Sequence, residues 1–104
     1  MGLKALVIRW AEPAEIDLDA LLSYIAFENP QAADKLFMKV MEAIEHAASF
    51  PEMARHIPEL GHTYRELVSV RPFRIIYRIV KKELWVIGVM RMEQDFSPDR
   101  SVEN

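Results

Sequence analysis

The segment from Tyr64 to Asp95 constrains the fold more than any other part of the chain. Three runs, YRELVSV, FRIIYRIV and LWVIGVMRMEQD, alternate side-chain character with a period of two and are separated by turn-like breaks at Val70-Arg71-Pro72-Phe73 and Lys81-Lys82-Glu83-Leu84. That pattern predicts a three-stranded antiparallel meander. The first turn pairs Ser69 with Arg74, Leu67 with Ile76 and Arg65 with Arg78; the second brings Arg91 opposite Arg74. One face then collects Arg65, Ser69, Arg74, Arg78 and Arg91 around Leu67, Ile76, Ile87 and Val89, with Trp85 beside them. The other face holds Val68, Val70, Phe73, Ile75, Tyr77, Ile79, Val86 and Met90 and is expected to be core, leaving the arginine face free to bind.

Upstream of the meander, Lys4 to Arg9 alternates enough for a short first strand ending at Trp10. Glu12-Pro13 opens a helix, with proline early and Glu15, Asp17 and Asp19 near the positive end of its dipole. Ile16 or Leu18, Leu21, Leu22, Ile25 and Ala26 make its apolar stripe. It should end at Glu28-Asn29, because Pro30 disfavours helical geometry in the residue before it. Pro30 starts a second helix that runs to Ser49-Phe50, burying Ala33, Leu36, Phe37, Val40, Met41, Ile44, Ala47 and Ala48. Residues 51–62 carry two prolines and a glycine and read as a loop with room for one helical turn.

The order β-α-α-β-β-β makes an α+β domain in which a helical hairpin packs on one face of an antiparallel sheet and the other face stays open. Periodicity does not choose a neighbour for the first strand. A single domain over residues 1–96 and a polar tail over 97–104 account for the chain.

Composition narrows the function classes. The chain has 104 residues, net charge −3 and no cysteine, and no apolar run approaches the roughly 18 residues of a membrane span. The N-terminal stretch is too short and too strand-like for a signal peptide, so a cytoplasmic location is expected. No His, Asp or Glu spacing suits a metal, and neither metal nor cofactor is expected. Most of the acidic residues precede the meander, so an anion-binding role has to rest on the local arginine face. On that face Arg74 and Arg91 make the expected pair, and Arg78 has Glu83 or Asp95 as an alternative partner. Glu66 falls on the core side, as a structural partner of Tyr77 or of a helix residue. His46 reads as surface, and His56 and His62 as loop residues.

Trp10, Ala14, Asp17-Leu18, Tyr24-Ile25, Asn29-Pro30, Ala32-Ala33, Ile44, Pro51, Gly61, Tyr64-Arg65-Glu66-Leu67, Phe73-Arg74-Ile75-Ile76-Tyr77-Arg78 and Val86-Ile87-Gly88-Val89 together resemble the ParE/RelE superfamily of bacterial type II toxins. The resemblance spans Val7 to Asp95. It implies a growth inhibitor neutralised by a cognate antitoxin in a hetero-oligomer, in systems associated with plasmid stabilisation. Two branches differ by target. RelE-like members resemble ribosome-dependent mRNA endoribonucleases, whose chemistry needs a base, an acid and cations for a charged phosphorane. Carried over, that reading uses Arg65, Arg74 and Arg91. Leu67, however, stands where a second lysine is common, Arg91 where others have histidine, and only Phe96 follows where a tyrosine is found. Arginine stays protonated and is a poor base. The ParE branch, which acts on DNA gyrase without an established hydrolytic set, fits better. The open sheet face read from strand parity is then the expected target- or antitoxin-binding surface, made of Arg65, Leu67, Arg74, Ile76, Arg78, Trp85, Ile87, Val89 and Arg91. An endoribonuclease, or a member that only binds its antitoxin, are the alternatives, and direct nucleic-acid binding stays open.

Overall fold

A computed structural model describes residues 5–96; Lys4, at the start of the expected first strand, and the tail 97–104 lie outside the described residues. Strand β1 spans Val7–Trp10 and is followed by helices α1, Glu12–Glu28, and α2, Pro30–Ser49. The helix ends fall where the prolines require. Asn29 closes α1 through its backbone N–H to Ile25 and caps α2 by accepting from the Ala32 N–H at 3.1 Å.

Four more strands follow, β2 at Arg55–His56, β3 at Arg65–Leu67, β4 at Phe73–Val80 and β5 at Glu83–Arg91. The sheet order is β1-β5-β4-β3-β2. It is mixed rather than antiparallel throughout, because β1 runs parallel to β5, which the long connection between them, through both helices and the other three strands, permits. The expected loop over 51–62 holds both the short edge strand β2 and a 3₁₀ turn at Pro58–Leu60, closed by Gly61 at a positive φ of 72° that suits glycine. Where β1 ends, the Val89 N–H of β5 loses its strand neighbour, and the Asp17 carboxylate from α1 accepts it at 3.2 Å.

Two local irregularities overturn several of the expected face assignments. The first turn forms, with the Phe73 N–H donating to Val70 at 2.8 Å, but Val68 and Ser69 stand outside the ladder and absorb one residue. Arg65 therefore pairs with Tyr77 and Leu67 with Ile75, one residue off the expected register, and every β3 side chain changes face. The second hairpin closes through the two-residue loop Lys81-Lys82, and a bulge at Ile76/Tyr77 leaves Ile87 without a partner. On the turn side of the bulge the faces are as expected; beyond it Val89 and Arg91 swap sides with Met90.

The helix-covered core consequently contains Leu18, Val40, Ile44, Val70, Phe73, Ile75, Tyr77, Leu84, Val86 and Val89, with Leu67 packed against it. Of the residues expected there, Ile79 is partly exposed at the margin, and Phe37 of α2 is 42% exposed. The opposite face is not open. Ile57, Tyr64, Ile76, Ile87 and Met90 form a second cluster, capped by Leu60, Trp85 and Phe96. Tyr64 and Phe96 meet edge to face at 5.1 Å between centroids. Loop and C-terminal segment thus cover part of the sheet, which explains aliphatic residues among the arginines.

Candidate functional site on the concave side of the sheet

Where the second cluster stops, the sheet, the 3₁₀ turn and the segment after β5 enclose a cavity of about 640 Å³ lined by Ile57, Leu60, Val68, Met92 and Phe96, with Arg55, Glu66 and Arg74 on its floor. Glu66 is the centre of this floor. Register places it opposite both Arg55 and Ile76, so its carboxylate rises from the sheet between two guanidinium groups. Arg55 donates Nε and Nη2 to Oε2 at 2.7 and 2.6 Å, and Arg74 donates the same pair to Oε1 at 2.9 and 2.8 Å. A fork of this kind holds both partners in one orientation. Burial is unequal: the side chains of Glu66 and Arg74 are 3% and 13% exposed, whereas that of Arg55 is 68% exposed. Arg74 also donates to the Gln94 carbonyl. Arg74 is thus a fixed, compensated charge, and Arg55 is the one that can turn to a partner. Glu59 and Asp95 add carboxylates to the lining, so this cavity is not a simple phosphate trap.

The nine residues expected to share one binding face are divided. Arg74, Ile76, Arg78, Trp85 and Ile87 are on this side, although Ile76 and Ile87 are buried in the second cluster and offer no surface. Arg78 lies opposite Trp85 and makes no ion pair among the described residues, with neither Glu83 nor Asp95. Trp85 donates its indole N–H to Glu83 at 2.9 Å, and with Arg9, which donates at 3.1 Å, it holds that carboxyl below its usual range. Leu67 and Val89 belong to the helix-covered core. Arg65 is also on the helix side. Its guanidinium donates to the carbonyls of Glu52 and Ala54 at 3.2 and 2.6 Å and fastens the loop after α2. Arg91 stands 5.8 Å from the Tyr24 ring centroid, over its face.

Two residues of the site were not expected there. Glu66 followed the wrong parity, and a carboxylate on an otherwise apolar face was the available sign that the register was off by one. Arg55 sat in a segment read as loop, with no periodicity to give it a direction. His56 and His62 stack at 4.7 Å; by register His56 lies on the side of Arg65, away from the cavity floor. Partial desolvation, and then the charges of Arg65 and His62, keep the His56 imidazole below its usual pKa. Among the described residues no group of His, Asp or Glu is arranged to hold a metal ion, and no helix is long and apolar enough to cross a membrane.

The fold is similar to that of a chain in the chromosomal ParDE toxin–antitoxin system from P. aeruginosa, with a TM-score of 0.72 over 86% of this chain and 98% of that one at 23% identity. In sequence the chain is 30% identical over 80 residues to Toxin RelE2 of Caulobacter vibrioides, covering 77% of this chain and 88% of that protein. The model of the ParE toxin of type II toxin–antitoxin systems matches residues 8–96. The chain therefore belongs to the ParE toxin family, within the ParE/RelE superfamily, and so to a system that includes an antitoxin partner.

Proposed function

We propose that this chain is a ParE-type toxin that inhibits growth by binding a protein target, DNA gyrase, and is neutralised in the cytoplasm by its cognate antitoxin. The observation that carries the reading is the separation of Arg65, Arg74 and Arg91. A ribonuclease site would need these cations to converge on one phosphate, yet Arg65 and Arg91 are on the helix side and Arg74 is on the other, already paired with Glu66. What the concave side offers instead suits a protein surface: an exposed guanidinium at Arg55, an unpaired one at Arg78, the indole of Trp85 and the apolar lips Val68 and Met92. Arg55 and Arg78 would take carboxylates of the target or of the antitoxin, with apolar contacts between them.

The test compares two activities of the purified full chain. Inhibition of gyrase supercoiling, relieved by the antitoxin, with no codon-specific cleavage of mRNA on ribosomes, is the expected result. Cleavage with supercoiling intact overturns it in favour of the endoribonuclease. Antitoxin binding with neither activity overturns it in favour of a member that only binds its antitoxin.

A further inference from the structure

A second surface, on the helical side of the molecule, has the opposite electrostatic character. Helix α1 carries Glu12, Glu15, Asp17, Asp19 and Glu28 and no lysine, arginine or histidine. Asp17 is engaged with the Val89 amide, but Glu12, Glu15, Asp19 and Glu28 form no ion pair among the described residues. Where α1, α2 and the end of β1 meet, a groove of about 330 Å³ is lined by Trp10, Leu18, Leu22, Phe37 and Met41, with Glu15 and Asp19 on its α1 wall. Asp34 and Glu45 stand one turn from Phe37 and Met41 along α2 and extend the acidic character to the other wall. Phe37 is 42% exposed, a large apolar side chain at the mouth with no cover among the described residues.

We propose that this groove is a docking site for a basic amphipathic helix of another protein, seating one large apolar side chain between Trp10, Leu22 and Phe37 and its flanking lysines or arginines against Glu15 and Asp19. Charge complementarity selects this occupant. A second copy docked through the same surface would set acidic walls against each other, and nucleic acid or an anionic membrane would be repelled. An apolar trough between two helices also has the shape that accepts one face of a third. The proposal does not depend on the target chosen above, because the groove shares no residue with the concave site.

The experiment titrates the full chain with a fluorescent peptide of about 18 residues that presents leucine at i, i+3, i+4 spacing with lysine between, and with a counterpart carrying glutamate for every lysine. Tighter binding of the lysine peptide by about tenfold or more, weakening with added salt, is expected. Glu15→Lys with Asp19→Lys should weaken it by about tenfold, and so should Phe37→Ser. Glu52→Lys with Glu93→Lys, the same charge change away from the groove, should leave it within about twofold. Because Glu15 and Asp19 are exposed, melting curves should stay near that of the parent, so the rim pair decides the matter even if Phe37→Ser unfolds. Equal binding of both peptides, equal loss from the remote pair, or no loss from the rim pair would each overturn the proposal.

Discussion

The buried carboxylate of Glu66 ties the concave site to the stability of the sheet. Taking Glu66 and Arg74 out of water is repaid only while both are present, since the survivor of a broken buried pair keeps its desolvation cost without its partner. Glu66→Ala should therefore destabilise the fold by about 3–5 kcal/mol, leaving Arg74 buried beside an empty position. Arg55→Ala removes a mostly exposed partner and should cost less than about 1 kcal/mol, because solvent already screens that contact. Denaturant unfolding of both variants measures the difference, and equal losses would show that Arg55 is held as firmly as Arg74. The burial of Arg74 also means that Arg74→Ala cannot serve as a neutral probe of function, contrary to what a solvated arginine would allow.

At the scale of elements, the helices were legible because their boundaries are written in proline and asparagine, residues whose backbone demands do not depend on the rest of the fold. The strands were legible as strands for the same local reason, their period of two. Faces were not, because they depend on counting residues through turns: the irregular step at Val68-Ser69 and the bulge that leaves Ile87 unpaired each add one residue that nothing in the composition announces. Arg65, Leu67, Val89 and Arg91 changed sides by that count alone, whereas Arg74, Arg78 and Trp85 lie outside the shifted stretches and stayed. With Arg65 moved to the side that Tyr77 keeps, the two residues together tie the sheet to the loop after α2. Tyr77 of β4 donates its hydroxyl to the Pro51 carbonyl at 2.7 Å, beside the loop carbonyls held by Arg65. Burial raises the Tyr77 pKa above its ordinary value of 10.0, with the Arg65 charge opposing. The neutral form is thus favoured in the native state, so this contribution is complete below the unfolded pKa and is lost as pH rises through the folded one. Tyr77→Phe should cost about 1 kcal/mol near neutrality. It should also flatten the alkaline limb of stability above about pH 10. Urea midpoints measured from neutral to strongly alkaline pH check both, and an unchanged alkaline slope would assign that limb to other groups.

Across the whole molecule, charge is unevenly spread. Helix α1 presents carboxylates and no cation, and the far side of the sheet presents Arg55 and Arg78 around a compensated centre, so a net charge of −3 hides two surfaces suited to opposite partners. Growth inhibition, on the proposed reading, depends on the second surface. Arg55 is the residue through which that dependence can be isolated, since it is exposed, lies at the edge strand β2, and leaves Glu66 still paired with Arg74 when removed. Arg55→Ala should relieve growth inhibition while the protein melts close to the parent, and it should weaken inhibition of supercoiling in parallel. Arg55→Lys distinguishes the form of recognition: a planar fork shared between Glu66 and a partner carboxylate is lost in lysine, whereas a dependence on positive potential alone survives the exchange. The expected result is that lysine fails to restore toxicity, read from growth curves beside melting curves for each variant. If Arg55→Ala remains fully toxic with its stability unchanged, the concave side is not the surface that meets the target.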